Sequence, residues 1–186
     1  MKKYILFLIL CSWFISYGQV RVEQVSFNKL VDVKGTDNVI ALEVNTNSLG
    51  DINSMNILFI NTKTIETTDA KIANEYIIQD FKQVKIDDLN INTIIVAVRM
   101  FDIDNNVRIN LKDPITLVSV GTDGKSKHIL TDTTFNVRVW EVNEKSGTLV
   151  VAGYYDNNRN GRFDPLELNE IQIFDLRTYQ LLHKVK

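Results

Sequence analysis

Apolar and polar residues alternate along most of the chain after residue 18. Alternation places successive side chains on opposite faces of an extended backbone, as in a strand with one buried face. The alternating and short apolar runs cover residues 20–27, 39–44, 55–60, 84–89, 94–101, 115–120, 135–142, 149–155, 171–176 and 179–185. The pattern therefore predicts a protein built from many short β-strands.

Polar segments rich in Gly, Asn and Asp join several of these runs. They cover residues 34–38, 47–51, 121–124 and 143–147. These residue types tolerate the backbone angles of tight turns, and tight turns connect antiparallel neighbours. We therefore predict an all-β fold, mainly an antiparallel β-sandwich.

One segment, residues 69–78, fits two kinds of structure. Asp69 can cap a short helix, whose buried face would carry Ile72 and Tyr76. The overlapping residues 75–81 suit a strand equally well. The pattern leaves a short helix and a strand as alternatives here.

The chain length of 186 residues suits one sandwich-sized domain or two small domains. Glycine and polar residues gather at 119–127, which marks either a domain boundary or a long hairpin loop. A faint repeat relates residues 84–102 to residues 137–156, each in the order strand, turn, strand, Asp/Asn-rich loop. We expect one β-sandwich domain over residues 19–186, with two small β domains split near 119–127 as the alternative.

Residues 1–18 have the composition of a signal peptide. Lys2 and Lys3 form a positive start, and the apolar run that follows at 4–15 is short for a membrane span. Small residues stand three and one positions before Gln19. We therefore expect cleavage before Gln19 and export to the periplasm, the cell surface or the medium, with no transmembrane anchor in the mature chain.

Cys11, the only cysteine, lies inside the predicted signal. The mature chain would then contain no thiol, so neither disulfides nor cysteine chemistry would contribute to it. Cleavage would also lower the formal charge from −2 to −4, because residues 1–18 contain two lysines and no acid. A weakly acidic chain is a poor partner for nucleic acid or an anionic membrane.

Oxygen-bearing side chains recur at fixed spacing over residues 156–167. They are Asp156, Asn158, Asn160, Asp164 and Glu167, at loop positions 1, 3, 5, 9 and 12, with Gly161 at position 6. This is the spacing of a calcium loop, in which alternate side chains point at the ion and glycine permits the sharp turn. Arg162 would bind the ion through its backbone carbonyl and Asp164 through a water, while Phe163 would point into the core.

The stretch 148–170 resembles secreted bacterial β-sandwich modules, prealbumin-like or immunoglobulin-like, that carry an inserted calcium loop. As in those modules, the loop is entered from a strand, here residues 150–155, and not from a helix. The resemblance implies a structural calcium ion that stiffens a connection between strands, and it implies no enzymatic activity. Two Asn ligands and the nearby Arg159 and Arg162 weaken the field at the ion, so we expect a dissociation constant on the order of 10⁻⁴ M.

Two alternatives concern these polar loops. Asn, Asp and Gly are also the residues of any exposed turn, so a metal-free turn is the alternative at 156–167. A second stretch, 102–113, carries Asp or Asn at the same donor positions, but Val107 stands where a calcium loop has glycine. Because a β-branched residue resists positive φ, we interpret 102–113 as a plain turn.

The sequence contains no recognisable catalytic pattern. His128 and His183 have no neighbours suited to a triad or a zinc site, so an enzyme is not the expected class. Trp140 is the candidate ligand-binding residue because an exposed indole can stack on a sugar; the alternative is a packing role. We expect a non-catalytic binding or adhesion-type module with a protein or carbohydrate partner. A purely structural envelope protein and a glycan-acting enzyme are the alternatives.

Overall fold

The computed structural model describes residues 24–47 and 52–186. The predicted signal at 1–18, the cleavage point at Gln19 and most of the predicted turn at 47–51 lie outside these residues. The described chain has one short 3-10 turn, Asp87–Leu89, and is otherwise built from strands, so the predicted all-β fold is confirmed. The strands are β1 (Gln24–Asp32), β2 (Asn38–Thr46), β3 (Ile52–Asn61), β4 (Thr67–Asp69), β5 (Ile77–Ile86), β6 (Ile91–Arg99), β7 (Thr116–Gly121), β8 (Lys127–Ile129), β9 (Phe135–Asn143), β10 (Thr148–Tyr155), β11 (Asn169–Asp175) and β12 (Gln180–Val185).

The strands form three four-stranded antiparallel sheets. The first sheet has the order β1-β2-β3-β4, the middle sheet β5-β6-β7-β8 and the third sheet β9-β10-β11-β12, so strands adjacent in sequence are adjacent in space. The predicted turns at 34–38, 121–124 and 143–147 each lie in a hairpin between two such neighbours. Short polar turns therefore account for this simple up-and-down order.

The middle sheet is buried on both faces. Ile94, Val96 and Val98 of β6 belong to a core shared with the first sheet, which contributes Ile57 and Phe59. Because side chains alternate along a strand, the residues between them face the third sheet. That second core contains Ile95, Ala97, Leu117, Phe135, Leu149 and Phe174. The fold is thus a sandwich of three β layers, with residues 94–98 apolar at every position because both of their faces are covered.

Residues 69–78 contain no helix. β4 ends at Asp69, β5 begins at Ile77, and the link between them is irregular. The Asp69 carboxylate accepts a hydrogen bond from Lys71 N (2.9 Å) and so closes a turn in place of capping a helix. Tyr76 is buried in the core shared by the first and middle sheets. The helical alternative is therefore wrong for this segment, because its apolar residues are used by an irregular link between two sheets.

Residues 119–127 lie within the middle sheet. β7 and β8 pair through this segment, and a hydrogen bond from Gly121 N to the Ser126 carbonyl (2.9 Å) closes the hairpin. The hydroxyl groups of Thr93 and Ser119 lie 2.6 Å apart and join β6 to β7 inside the protein. The segment is a hairpin within one sheet that contributes to both cores.

Candidate metal centre

Two long polar loops connect the second and third strands of neighbouring sheets. Loop 102–113 lies between β6 and β7, and loop 156–167 lies between β10 and β11. The loops touch, since a Cβ atom on Gly161 would lie 2.6 Å from the carbonyl oxygen of Lys112. The two Asp/Asn-rich segments of the faint sequence repeat therefore occupy equivalent places in two sheets and form one surface.

Asp156 organises the first half of loop 156–167. Its side chain is 4% exposed and accepts hydrogen bonds from Asn160 N (3.1 Å) and Gly161 N (2.8 Å). Gly161 has a φ of +71°, in the left-handed region that side chains with a Cβ resist. The expected role of Gly161 is confirmed, and its close approach to Lys112 gives a second reason for glycine at this position.

Glu167 closes the second half of the loop. It is 6% exposed, and its two carboxylate oxygens accept hydrogen bonds from Asn157 N (3.2 Å) and Asp164 N (2.9 Å). Glu167 N donates in turn to the Asp164 carbonyl (2.9 Å). The first and last predicted ligands are thus both buried and held by backbone N–H groups of the loop itself.

The side chains at loop positions 3, 5 and 9 meet each other. Nδ2 of Asn158 and Nδ2 of Asn160 lie 2.5 and 2.7 Å from Oδ2 of Asp164. Arg162 has an exposed side chain, and its backbone N donates to Asn160 Oδ1 (2.7 Å). Both amides offer hydrogens to the carboxylate here, and rotation about their last side-chain bond would present oxygens in place of hydrogens. These predicted ligands therefore lie together, in an arrangement that a cation would change by turning two amides.

Phe163 does not enter the core. Its side chain is 40% exposed and packs edge-on against Tyr154, with 5.3 Å between ring centroids. The guanidinium carbon of Arg138 lies 5.8 Å from the centre of the Phe163 ring. The expectation of a core position is wrong because the loop extends past the end of its strands, where position 8 meets a neighbouring strand and solvent.

Loop 102–113 repeats the hydrogen bonds of loop 156–167 position by position. In each loop the side chain at position 1 accepts from the N–H groups of positions 5 and 6, and the side chain at position 12 accepts from those of positions 2 and 9. The backbone φ is positive at positions 4 and 6 of both loops. In loop 102–113 the bonds run from Asn106 N and Val107 N to Asp102, and from Ile103 N and Asn110 N to Asp113. Two loops of different sequence therefore share one conformation.

Three carboxylates converge in loop 102–113. Oxygens of Asp102, Asp104 and Asp113 lie within 4.8 Å of one another, and Asp113 is only 1% exposed. Hard oxygen donors at this spacing suit calcium, which takes six to eight of them. Within the described residues loop 156–167 forms no such carboxylate triad, because position 3 is Asn158 and supplies an amide oxygen instead.

The electrostatics of Asp113 reflect this crowding. Burial raises the pKa of Asp113, and the nearby carboxylates of Asp104 and Asp102 raise it further. Hydrogen bonds from Asn110 N and Ile103 N act in the opposite direction but do not offset the rise. The ionised form of Asp113 is thus less stable than that of a free Asp side chain, and a nearby cation would stabilise it.

Val107 adopts a positive φ, which a β-branched residue was expected to resist. Its φ is +76° and its side chain is 85% exposed. The Val107 N–H donates to Asp102 Oδ2 at 2.8 Å, as the glycine at position 6 does in the other loop. The expectation that a β-branched residue prevents this turn is wrong, because the carboxylate bonds fix the backbone and the side chain meets only solvent.

The substitution Val107→Gly is expected to stabilise the protein by about 1 kcal/mol. A β-branched residue at positive φ stores about 1–3 kcal/mol of strain, of which glycine's greater freedom in the unfolded chain cancels part. Thermal unfolding of the two proteins in a chelator measures the difference. Asn105→Gly is the matched control: Asn105 also has positive φ, at +56°, but asparagine tolerates it, so no gain is expected. Equal stability of Val107→Gly and the parent would contradict the strain.

Asn136 is a site residue that the sequence did not single out. Its Oδ1 accepts a hydrogen bond from Ile115 N (3.0 Å), just after loop 102–113, and its Nδ2 donates to the Tyr154 hydroxyl (2.9 Å), just before loop 156–167. One side chain on β9 therefore ties together the strands that carry both loops. In sequence Asn136 is only one polar residue in an alternating strand, which gives no signal of this role.

Glu170 is a buried carboxylate that the sequence also did not single out. It is 4% exposed, and one of its oxygens lies 2.9 Å from both Lys184 Nζ and Gln172 Nε2. Burial alone would raise the pKa of Glu170, but the hydrogen bonds from Gln172 and Lys184 outweigh it and hold the pKa below its usual value. One of its carboxylate oxygens is thus occupied by neighbours within the third sheet, as expected for a structural ion pair.

The two histidines lie on separate strands. His128 of β8 stacks on Tyr179 with 4.4 Å between ring centroids, and His183 is an exposed residue of β12. Neither belongs to the carboxylate group of loop 102–113. Within the described residues, the histidines therefore add no ligand to that carboxylate group.

Comparison with known proteins finds no family model, no curated protein and no solved structure that this chain matches. No helix in the described part of the chain is long and apolar enough to cross a membrane.

Proposed function

We propose that the protein is an exported, non-catalytic binding or adhesion-type module in which calcium stiffens one end of a three-layer β-sandwich. The observation that carries the metal assignment is the shared conformation of loops 102–113 and 156–167. In both, acidic or amide side chains at positions 1, 3, 5, 9 and 12 surround a backbone that turns sharply at positions 4 and 6. That combination of spacing and turn is what a calcium loop requires.

The donor set favours calcium over softer metals. Loop 156–167 supplies the carboxylates of Asp156, Asp164 and Glu167, the amide oxygens of Asn158 and Asn160, and the Arg162 carbonyl. Loop 102–113 supplies the carboxylates of Asp102, Asp104 and Asp113, with Asn106, Asn110 and the Arg108 carbonyl. Each set is made of hard oxygen atoms and contains no nitrogen or sulfur ligand, as calcium prefers.

Calcium bound in these loops would act on structure and not on a reaction. Each loop joins two strands of one sheet, and the two loops touch at Gly161 and Lys112. An ion in each loop would fix the ends of β6, β7, β10 and β11 relative to one another. A stiff end is useful to an exported module because the mature chain that we expect has no disulfide.

Limited proteolysis with trypsin tests the metal assignment directly. Trypsin cuts after Arg and Lys, and each loop offers two exposed sites: Arg108 and Lys112, and Arg159 and Arg162. Calcium is expected to slow cleavage at these four sites by at least about tenfold relative to EDTA, because a protease needs the loop to open locally. Lys125, exposed in the β7–β8 turn, is the internal control and should be cut equally in both conditions.

Two variants assign the protection to each loop. Asp156→Asn should remove protection at Arg159 and Arg162, while Asp102→Asn should remove it at Arg108 and Lys112. Mass spectrometry of the early fragments identifies each cut. Equal cleavage of both loops in calcium and in EDTA would show that they are metal-free turns.

A further inference from the structure

A second candidate site is a groove between two edge strands, separate from the two polar loops. β5 is an edge of the middle sheet and β9 is an edge of the third sheet. The cavity between them has a volume of about 340 Å³, with Ala97, Ile115 and Val137 on its apolar side. This is within the range of about 300–1,000 Å³ that is usual for small-ligand sites.

Trp140 combines a buried and an accessible part in this groove. It packs against the core shared by the middle and third sheets, and it also lines the groove. No hydrogen bond joins its indole N–H to another described residue. An indole fixed by the core and open to a cavity gives a rigid apolar surface with one free donor, and a ligand that stacks on it loses little entropy.

Apart from the exposed Val139, the remaining side chains of the groove are polar and balanced in charge. Gln79, Asp80 and Lys82 stand on the β5 side, and Arg138 and Glu141 on the β9 side. The two acids and two bases cancel, and the Lys82 ammonium lies 3.3 Å from the Glu141 carboxylate. A groove of this composition offers donors and acceptors without a net field, which favours an uncharged ligand rich in hydroxyl groups.

We propose that this groove binds a neutral oligosaccharide, with the apolar face of one sugar ring on Trp140 and its hydroxyl groups on Gln79 and Asp80. The inference deepens the proposed binding function, on which it rests, by naming the ligand class. The groove also borders the metal loops, because Ile115 follows loop 102–113 and Arg138 lies over Phe163 of loop 156–167.

Isothermal titration of the full chain with neutral tetrasaccharides tests the proposal. The probes are β-1,4-linked glucose, β-1,4-linked xylose and α-1,4-linked glucose tetramers, in calcium-containing buffer. Saturable binding of at least one probe is expected. Trp140→Ala should weaken that binding by at least about tenfold, since the stacking surface is lost. Trp140→Phe should retain part of the affinity, because a smaller ring still stacks.

Two further variants separate binding from folding. Asp80→Ala changes an exposed residue outside the core and should weaken binding several-fold with an unchanged melting temperature. Phe27→Ala, which removes an aromatic ring 60% exposed on β1, should leave binding unchanged. Binding that survives both Trp140→Ala and Asp80→Ala would overturn the assignment of the groove.

The outcomes also separate this inference from the calcium proposal. Protection of the loops by calcium, together with no binding of any of the three tetrasaccharides, would overturn the oligosaccharide assignment and leave the metal loops standing. Trp140-dependent binding by a protein whose loops ignore calcium would support the groove and remove the metal from the proposed function.

Discussion

Calcium at about 10 mM is expected to raise the melting temperature of the metal-stripped protein by roughly 5–10 °C for each loop that binds it. A dissociation constant on the order of 10⁻⁴ M makes this about a 100-fold excess. Binding to the folded state alone then stabilises the protein by about 2.7 kcal/mol per site. For a chain of this length each kcal/mol shifts the midpoint by roughly 2–4 °C.

Variants divide this shift between the two loops. Asp156→Asn and Asp102→Asn should each remove about half of the total calcium-induced shift in melting temperature. The double variant should remove nearly all of that shift. Asp123→Asn, an exposed carboxylate in the β7–β8 turn, is the matched control and should keep the full shift. Differential scanning calorimetry with and without calcium measures all four proteins. A double variant that still gains the full stabilisation would place the calcium elsewhere.

The second large effect concerns the middle sheet. Ile94→Ala and Ile95→Ala are each expected to lower the free energy of unfolding by about 3 kcal/mol, because both side chains are 0% exposed and truncation leaves a cavity. The two residues are neighbours in sequence but belong to different cores. Both substitutions should lower one and the same unfolding transition, since β6 contributes to both cores.

Denaturant unfolding followed by fluorescence and by circular dichroism measures these changes. Ile129→Ala is the control, because that side chain is 56% exposed on β8 and should change stability by no more than about 0.5 kcal/mol. Two separate transitions, of which Ile94→Ala lowers one and Ile95→Ala the other, would contradict a single cooperative unit and support two small domains.

The strands of this fold could be predicted from sequence because side-chain alternation is a local property. Residues 135–142 and 149–155 alternate clearly, and they form β9 and β10. The three-layer arrangement could not be predicted in this way. The apolar run at 94–98 shows that both faces of β6 are covered, but a run does not identify the sheets that cover them. At 69–78 the apolar spacing suited a helix, while the structure uses the same residues in an irregular link between β4 and β5.

The candidate site was predictable where it depended on residue type at fixed spacing. Asp156 and Glu167 accept backbone hydrogen bonds from within one loop, and Gly161 makes the positive-φ turn that its spacing predicted. The prediction for Val107 was wrong because β-branching predicts only the strain of a positive φ. It does not predict the hydrogen bonds that compensate for that strain. Here two hydrogen bonds from Asn106 N and Val107 N to Asp102 help to hold the strained turn. The contact between the loops and the bridge made by Asn136 join residues far apart in sequence. The local sequence pattern therefore could not predict them.

The faint sequence repeat corresponds to equivalent parts of the middle and third sheets. Residues 84–102 and 137–156 run from the first strand of one sheet into the loop that follows its second strand. The middle and third sheets are thus built on one plan, a four-stranded meander with a long polar loop after its second strand. The shared plan places the two loops after equivalent strands, and their common turn comes from the same backbone hydrogen bonds to the carboxylate at position 1.

A crystal structure of the protein grown in calcium, with anomalous scattering to identify the ion, tests the central claim most directly. We predict one calcium ion in each loop. In loop 156–167 it would be bound by Asp156, Asn158, Asn160, the Arg162 carbonyl and Glu167, with both amides turned so that their oxygens face the ion. In loop 102–113 it would be bound by Asp102, Asp104 and Asp113. Loops without anomalous density at millimolar calcium, with Asn158 and Asn160 still donating to Asp164, would contradict it.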